Sequence, residues 1–503
     1  MQGSGPIVHQ GIEDGSEGCF APWLKTGRYN RAVMQLRPRR RPVLLLAVVG
    51  LAAGLLLAAA LSSPRIIAIL PDDSATDVPG KAPLRISFNQ PMDHASVELH
   101  LAIEPRPGGD LRWEGNSLVF QPIEPWPSGE RVEARLGAGA LSARRLPLLS
   151  ETAWAFEVGV PRIVYLWPAE GPAELYARTL EADEPLQLTD TSGVLDYSLT
   201  ADGSAVAYAA YAVTGQVEIR LRELPSGDDR LLHACLEGMV CRAPALSPDA
   251  GWLAFEVHDG NPDGRAPGAV LVRVHLVRVN GGEPAFPLAA ADHATSQPVW
   301  SPLGWLAYYD HTLQAYAFVV EPAGPDQPVD LYIPNALGDR GDWSPDGETF
   351  VLPELVFVAE TPTVESEDQP PVFYSHLYRV DVRSGAVLDL SGEEGYLVED
   401  AGPAFSPDGL WLVFSRKYLD RSRWTLGRQI WRMRTDGLGA EALTDQPSLN
   451  HSALAWSPDG ESLVYMLFDQ TDMTRPAEVW WTAVDGSQGG QLALGAYSPQ
   501  WSP

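Results

Sequence analysis

A five-residue phrase recurs through the later two-thirds of the chain and limits its architecture more than any other feature. Trp343-Ser344-Pro345-Asp346-Gly347, Phe405-Ser406-Pro407-Asp408-Gly409 and Trp456-Ser457-Pro458-Asp459-Gly460 are near copies. Leu199-Thr200-Ala201-Asp202-Gly203, Leu246-Ser247-Pro248-Asp249-Ala250 and Trp300-Ser301-Pro302-Leu303-Gly304 are weaker ones, and the sequence closes on Trp501-Ser502-Pro503. Pro fixes φ at the first turn position, Asp accepts from nearby backbone N–H groups, and Gly takes the left-handed conformation that re-enters a strand. Each phrase therefore predicts a tight hairpin, followed by an apolar strand such as Ala205-Val206-Ala207-Tyr208 or Leu412-Val413-Phe414.

The fourth residue of each phrase falls 47, 54, 43, 62 and 51 residues after the one before it, which suits one four-stranded unit with variable loops. A single such unit cannot cover both its faces, so the copies must stack. The aromatic residue before each Ser then fills the gap between neighbours rather than serving as a ligand platform. Second, third and fourth strands are expected at Ile163 to Trp167, Glu174 to Leu180 and Leu186 to Thr189, with a first strand missing before them, while Tyr497 to Ser502 supplies a first strand with nothing after it. Joined, they make one further unit, and the total is seven; six is the alternative if one weak repeat is an insertion. Sealing the ring with both ends removes an exposed sheet edge.

These repeats resemble the TolB-type β-propeller repeat, also met in the propellers of tricorn-like and prolyl-oligopeptidase-like proteins, over residues 162–503. The resemblance implies a seven-bladed, alternatively six-bladed, propeller.

Residues 65–160 show seven short runs rich in β-branched and aromatic residues: Ile66 to Leu70, Leu84 to Phe88, Val97 to Ile103, Leu111 to Trp113, Leu118 to Phe120, Arg131 to Leu136 and Ala153 to Val158. Alternation in Leu84-Arg85-Ile86-Ser87-Phe88 puts apolar groups on one face, as a sandwich requires. Phe88-Asn89-Gln90-Pro91-Met92-Asp93, Leu118-Val119-Phe120-Gln121-Pro122 and Trp154-Ala155-Phe156 resemble the bacterial Ig-like domain of the SbsA type. That resemblance implies a spacer or adhesion module without catalysis. The expected fold class is all-β, a sandwich followed by a propeller, and Gly and Pro at 46 and 44 of 503 residues fit a chain that turns often.

Val43 to Leu61 is an uncharged apolar run long enough to cross a bilayer as a helix. Lys25, Arg28, Arg31, Arg37, Arg39, Arg40 and Arg41 precede it, so the positive-inside rule predicts a cytoplasmic arm (1–42), a single transmembrane helix (43–61) and extracytoplasmic domains. A cleaved signal peptide ending near Ala58-Ala59-Ala60 is the rival reading, and Met34 is an alternative start. Three cysteines are too few for a disulfide framework; only Cys235 and Cys241 are close enough in sequence to bond in an oxidising compartment.

With 36 basic against 65 acidic residues the net charge is -29, which repels nucleic acid. No nucleophile elbow, zinc-protease signature or nucleotide-binding glycine loop is present, so no enzyme activity, cofactor or metal is expected. His258-Asp259-Gly260-Asn261-Pro262-Asp263-Gly264 offers oxygens but lacks the terminal Glu of a calcium loop. The candidate binding site is the mouth of the central channel, where Asp196, Arg242, Gln297, Asp342, Asp400 and His451 precede the innermost strands. The expected function is a membrane-anchored envelope protein that presents its propeller to a protein or peptide; the alternative is a propeller hydrolase or lyase working through the mouth carboxylates.

Overall fold

The computed structural model describes residues 48–51 and 62–502, apart from 183, 225–226, 260–271, 281–283, 321, 323, 325–327, 358–372, 393–396 and 473. Residues 48–51 are helical. The rest of the predicted membrane run and the whole cytoplasmic arm lie outside the described residues, among which no helix is long and apolar enough to cross a membrane.

Seven strands build the first domain. β1 (Ile66–Leu70), β2 (Leu84–Phe88), β5 (Ser117–Pro122) and β4 (Gly109–Glu114) form one sheet in that order, and β3 (Leu101–Glu104), β6 (Arg131–Leu136) and β7 (Thr152–Glu157) form the other. Leu84, Ile86 and Phe88 from one sheet and Val132, Ala134 and Leu136 from the other are almost fully buried in a shared core that closes around Trp126. That is the inward alternation expected of a sandwich. The strand expected from Val97 begins only at Leu101: helix α1 (His94–His100) comes first, because Asp93 caps it by accepting from the Ser96 N–H at 3.1 Å. The cap outweighs the β-branched side chain of Val97, which the helix buries in the same core.

From Arg162 onward every sheet is antiparallel and of four strands, in chain order from its inner to its outer edge: β11–β14 (194–234), β15–β18 (239–287), β19–β22 (295–334), β23–β26 (342–389), β27–β30 (398–442) and β31–β34 (449–494). A single parallel pair, Ser375 opposite Glu399, joins the fourth of these to the fifth. The first strands of successive sheets touch one another, so they line a common axis. The remaining sheet is built from both ends of the region. β35 (Tyr497–Ser502) is the inner strand beside β8 (Arg162–Trp167), followed by β9 (Glu174–Arg178) and β10 (Leu186–Gln187), and Trp501 stands opposite Ile163 as the sequence requires.

The recurrent phrase works as a set of linked bonds. The Ser344 hydroxyl donates to Asp346 at 2.5 Å and accepts from the Thr349 N–H at 3.0 Å, while Asp346 accepts from the Glu348 N–H, and the bonds recur at Ser247, Ser406 and Ser457. Ala250, where the phrase lacks its glycine, still adopts φ +51°. The phrase aromatics reach across the gap to the preceding sheet: the indole N–H groups of Trp300, Trp343 and Trp456 donate to the carbonyls of Ala245, Val299 and Ala404 at 3.0, 3.1 and 3.0 Å. Each acceptor lies one residue before the corresponding phrase position of its own sheet, so one staple is repeated from sheet to sheet.

Candidate functional site at the channel mouth

The inner strands share a second device besides the phrase. Three residues before the phrase's first position the backbone turns left-handed at Ala243 (φ 46°), Gln297 (56°), Gly402 (57°), Ala453 (50°) and Ser498 (51°), and the strand pairing slips at each place. These are β-bulges, which re-aim the side chains before them. In four of the five copies a proline follows at once, at Pro244, Pro298, Pro403 and Pro499.

The six residues expected to precede the innermost strands lie within those strands instead, at different positions along them. Asp196 and Gln297 lie three residues before the phrase position, Arg242 four, Asp342 one, and Asp400 and His451 five. They do not stand in one layer, and only one pair of them is in contact. Arg242 Nε donates to Asp196 at 2.8 Å, and both side chains keep solvent access, at 46% and 35%. The same carboxylate also accepts from the Ala243 N–H at 3.3 Å, tying one sheet to the next.

Glu256, which the sequence reading missed, repeats that tie one sheet further on by accepting from the Gln297 N–H at 2.7 Å. Burial raises the affinity of the Glu256 carboxyl for its proton, but hydrogen bonds from His258 at 2.7 Å and from Gln297 outweigh it and hold the carboxyl below its ordinary range. The Gln297 amide donates to the Gly338 carbonyl at 2.8 Å, and the Tyr316 hydroxyl lies 3.2 Å from its oxygen. Nearby, Ser296 Oγ and His311 Nε2 are 2.8 Å apart.

The other three residues turn inward to neighbouring strands. Asp342 accepts from the Phe405 N–H at 2.9 Å, and burial pushes its carboxyl up to about 6. Asp400 is fully buried in a two-pronged pair with Arg416, at 2.7 and 2.6 Å. His451 is also fully buried, its Nδ1 2.8 Å from the Arg428 carbonyl, and burial lowers its imidazole to about 4, so it is neutral at pH 7. Asp400 therefore braces two strands of its own sheet and His451 ties its strand to the neighbouring sheet, while Asp196 and Arg242, with His258 a third exposed, are open to a visiting molecule. No signal in the sequence announces Glu256 or the Ser296–His311 pair, whose members are set together only by strand pairing.

Among the described residues no cluster of His, Cys, Asp and Glu could hold a metal ion. The suggested calcium loop lies outside the described residues from Gly260 onward, and His258 before it is engaged with Glu256.

The strand order and the shared axis define a β-propeller that follows an Ig-like sandwich. Residues 61–158 match the bacterial Ig-like domain family. An uncharacterized protein of Agrobacterium fabrum is 31% identical over 177 residues, 32% of this chain; the match spans 50% of that relative's own length. The chain is similar to TolB from Acinetobacter baumannii, at 14% identity and a TM-score of 0.41, over 88% of this chain and 99% of that one. It is also similar to puromycin hydrolase, at 14% identity and a TM-score of 0.44, over 83% of this chain and 56% of that one.

Proposed function

We propose that this chain is a non-enzymatic binding protein of the bacterial envelope, held in the membrane by Val43 to Leu61, whose Ig-like domain presents a seven-bladed propeller outside the membrane to a protein or peptide. The observation that carries this reading is the state of the mouth. Most of its carboxylates already hold neighbouring sheets together, at Asp196, Glu256 and Asp342, while Asp196 and Arg242 leave one charge of each sign open to a partner's polar groups. The counting of blades rests on the six sheets in sequence order plus the one shared by the two ends. A bond between Cys235 and Cys241 supports an oxidising, exported location.

A photo-crosslinking residue placed at Arg242 in intact cells is expected to give a discrete adduct, while one at Asp459, in a turn at the opposite end of the inner strands, gives none. Equal adducts from both positions, or a large fragment that resists protease added to whole cells, would count against the proposal. One observation favours the second reading, a hydrolase or lyase: a carboxyl at Asp342 poised at about 6 suits proton transfer near neutral pH. Turnover of a peptide or glycan abolished by Asp342→Asn in a folded variant would establish that alternative.

A further inference from the structure

Between the Ig-like domain and the propeller lies a cavity of about 240 Å³, with walls from Asp77 and Pro79 on one side, the connection through Val160, and Leu188 and Arg222 on the other. Cavities between domains, apolar with a few convergent polar groups, are where small ligands commonly bind. Two guanidinium groups line this one. Arg162 is already neutralised: its Nη2 lies 2.9 and 2.8 Å from the two oxygens of Asp77.

Arg222 is not. Its Nε is buried without a hydrogen-bond partner, and among the described residues no carboxylate pairs with it. The contrast with its own strand is sharp, since Arg220, two residues earlier on the same face, is held by both Asp229 and Glu218 at 2.6 and 2.8 Å. A buried donor left unmade is costly; the Nε groups of Arg273, Arg428 and Arg432 are buried unmet as well, but each of those three arginines has a terminal nitrogen bonded elsewhere. The guanidinium lies close against Gly227, where a Cβ would stand 3.0 Å from Arg222 Nη2.

We propose that this cavity binds a small monoanion that carries a carboxylate on an apolar body. The carboxylate takes the planar guanidinium fork of Arg222, which suits two parallel hydrogen bonds. The body lies against Val160, Leu188 and Leu224. A single uncompensated positive charge favours a monoanion over a phosphate dianion, because Arg162 is occupied by Asp77.

Isothermal titration of the full chain with benzoate tests the site, with benzamide as the uncharged isostere and inorganic phosphate as competitor. Benzoate is expected to bind one saturable site, benzamide at least about tenfold more weakly, and phosphate not to compete. Arg222→Gln should weaken benzoate by about tenfold or more while leaving the thermal midpoint unchanged or higher. Leu186→Glu, at a cavity-lining position that is 61% exposed and so safe for folding, should weaken it comparably by placing a like charge at the rim. Equal affinity for benzoate and benzamide, undiminished binding in both variants, or no saturable binding at millimolar benzoate would overturn the proposal.

Discussion

Replacing Trp343 and Trp501 by phenylalanine, one at a time, isolates the indole staple between sheets. Both side chains are buried, at 5% and 8% exposure, so each substitution removes a similar amount of apolar contact and that cost cancels in the comparison. What differs is the N–H. Trp343 donates to the Val299 carbonyl at 3.1 Å, and removing that donor orphans a buried acceptor, a cost of about 1–3 kcal/mol. The indole N–H of Trp501 is buried with no partner, so its removal relieves an unmet group rather than creating one. Trp343→Phe should therefore be the more destabilising by about 2 kcal/mol. Measured by far-UV circular dichroism of the full chain in urea, with a slope of about 3 kcal/mol per molar or more, this separates the two midpoints by roughly 0.5 M. Equal midpoints, or a lower one for Trp501→Phe, would refute the reasoning that the indole bonds rather than the ring volumes join the sheets.

Asp400→Asn should cost about 3–5 kcal/mol by leaving Arg416 buried without its counter-charge, whereas Asp196→Asn, beside the half-exposed Arg242, should cost about 1 kcal/mol or less; denaturant midpoints of the two variants give the ranking. The Asp342 carboxyl, raised to about 6 from 3.8, binds its proton more tightly in the folded chain, so its contribution to stability is complete below pH 3.8 and is lost as pH rises through 6. Asp342→Asn should flatten that decline, and identical pH profiles of wild type and variant would refute the assignment. Intact-mass analysis of protein recovered from the envelope should find Cys235 and Cys241 protected from alkylation until reduced, and removing the bond should lower stability by about 2 kcal/mol for so short a loop.

Much of the architecture was legible because its signals are local and repeated. The strands Ile66–Leu70, Leu84–Phe88 and Arg131–Leu136 fall where alternation places them, and the pairing of Trp501 with Ile163 follows from counting incomplete units at the two ends. Helix α1 was missed because Asp93 signals a cap only once the side chain is seen to reach the Ser96 N–H. The mouth was harder to read. A bulge shifts register by one residue and sends the next side chain to the other face; Asp400 and His451 stand before the bulges of their strands and Asp342 directly before its phrase, so the expected ring does not form one layer. The Pro that follows four of the five left-handed residues was a usable clue to those bulges; Asp196, followed by Tyr197, carries no such mark and is level with Gln297 only by its distance from the phrase. The partners Glu256 and His311 could not be found this way, because each meets its neighbour across separate sheets or strands.

The bond between strand 497–502 and strand 162–167 also sets an order of assembly. Residue Leu166 must wait for Tyr497, so during synthesis the first sheet stays without its inner strand while more than three hundred residues are made. Throughout that interval β8 offers an unpaired margin that any stray extended segment could occupy. Such distant pairing is slow to form, and a ribosome stalled shortly before Tyr497 would release a product still open along one side. Quality control that recognises open sheet margins would therefore act on this protein chiefly before Tyr497–Ser502 emerges.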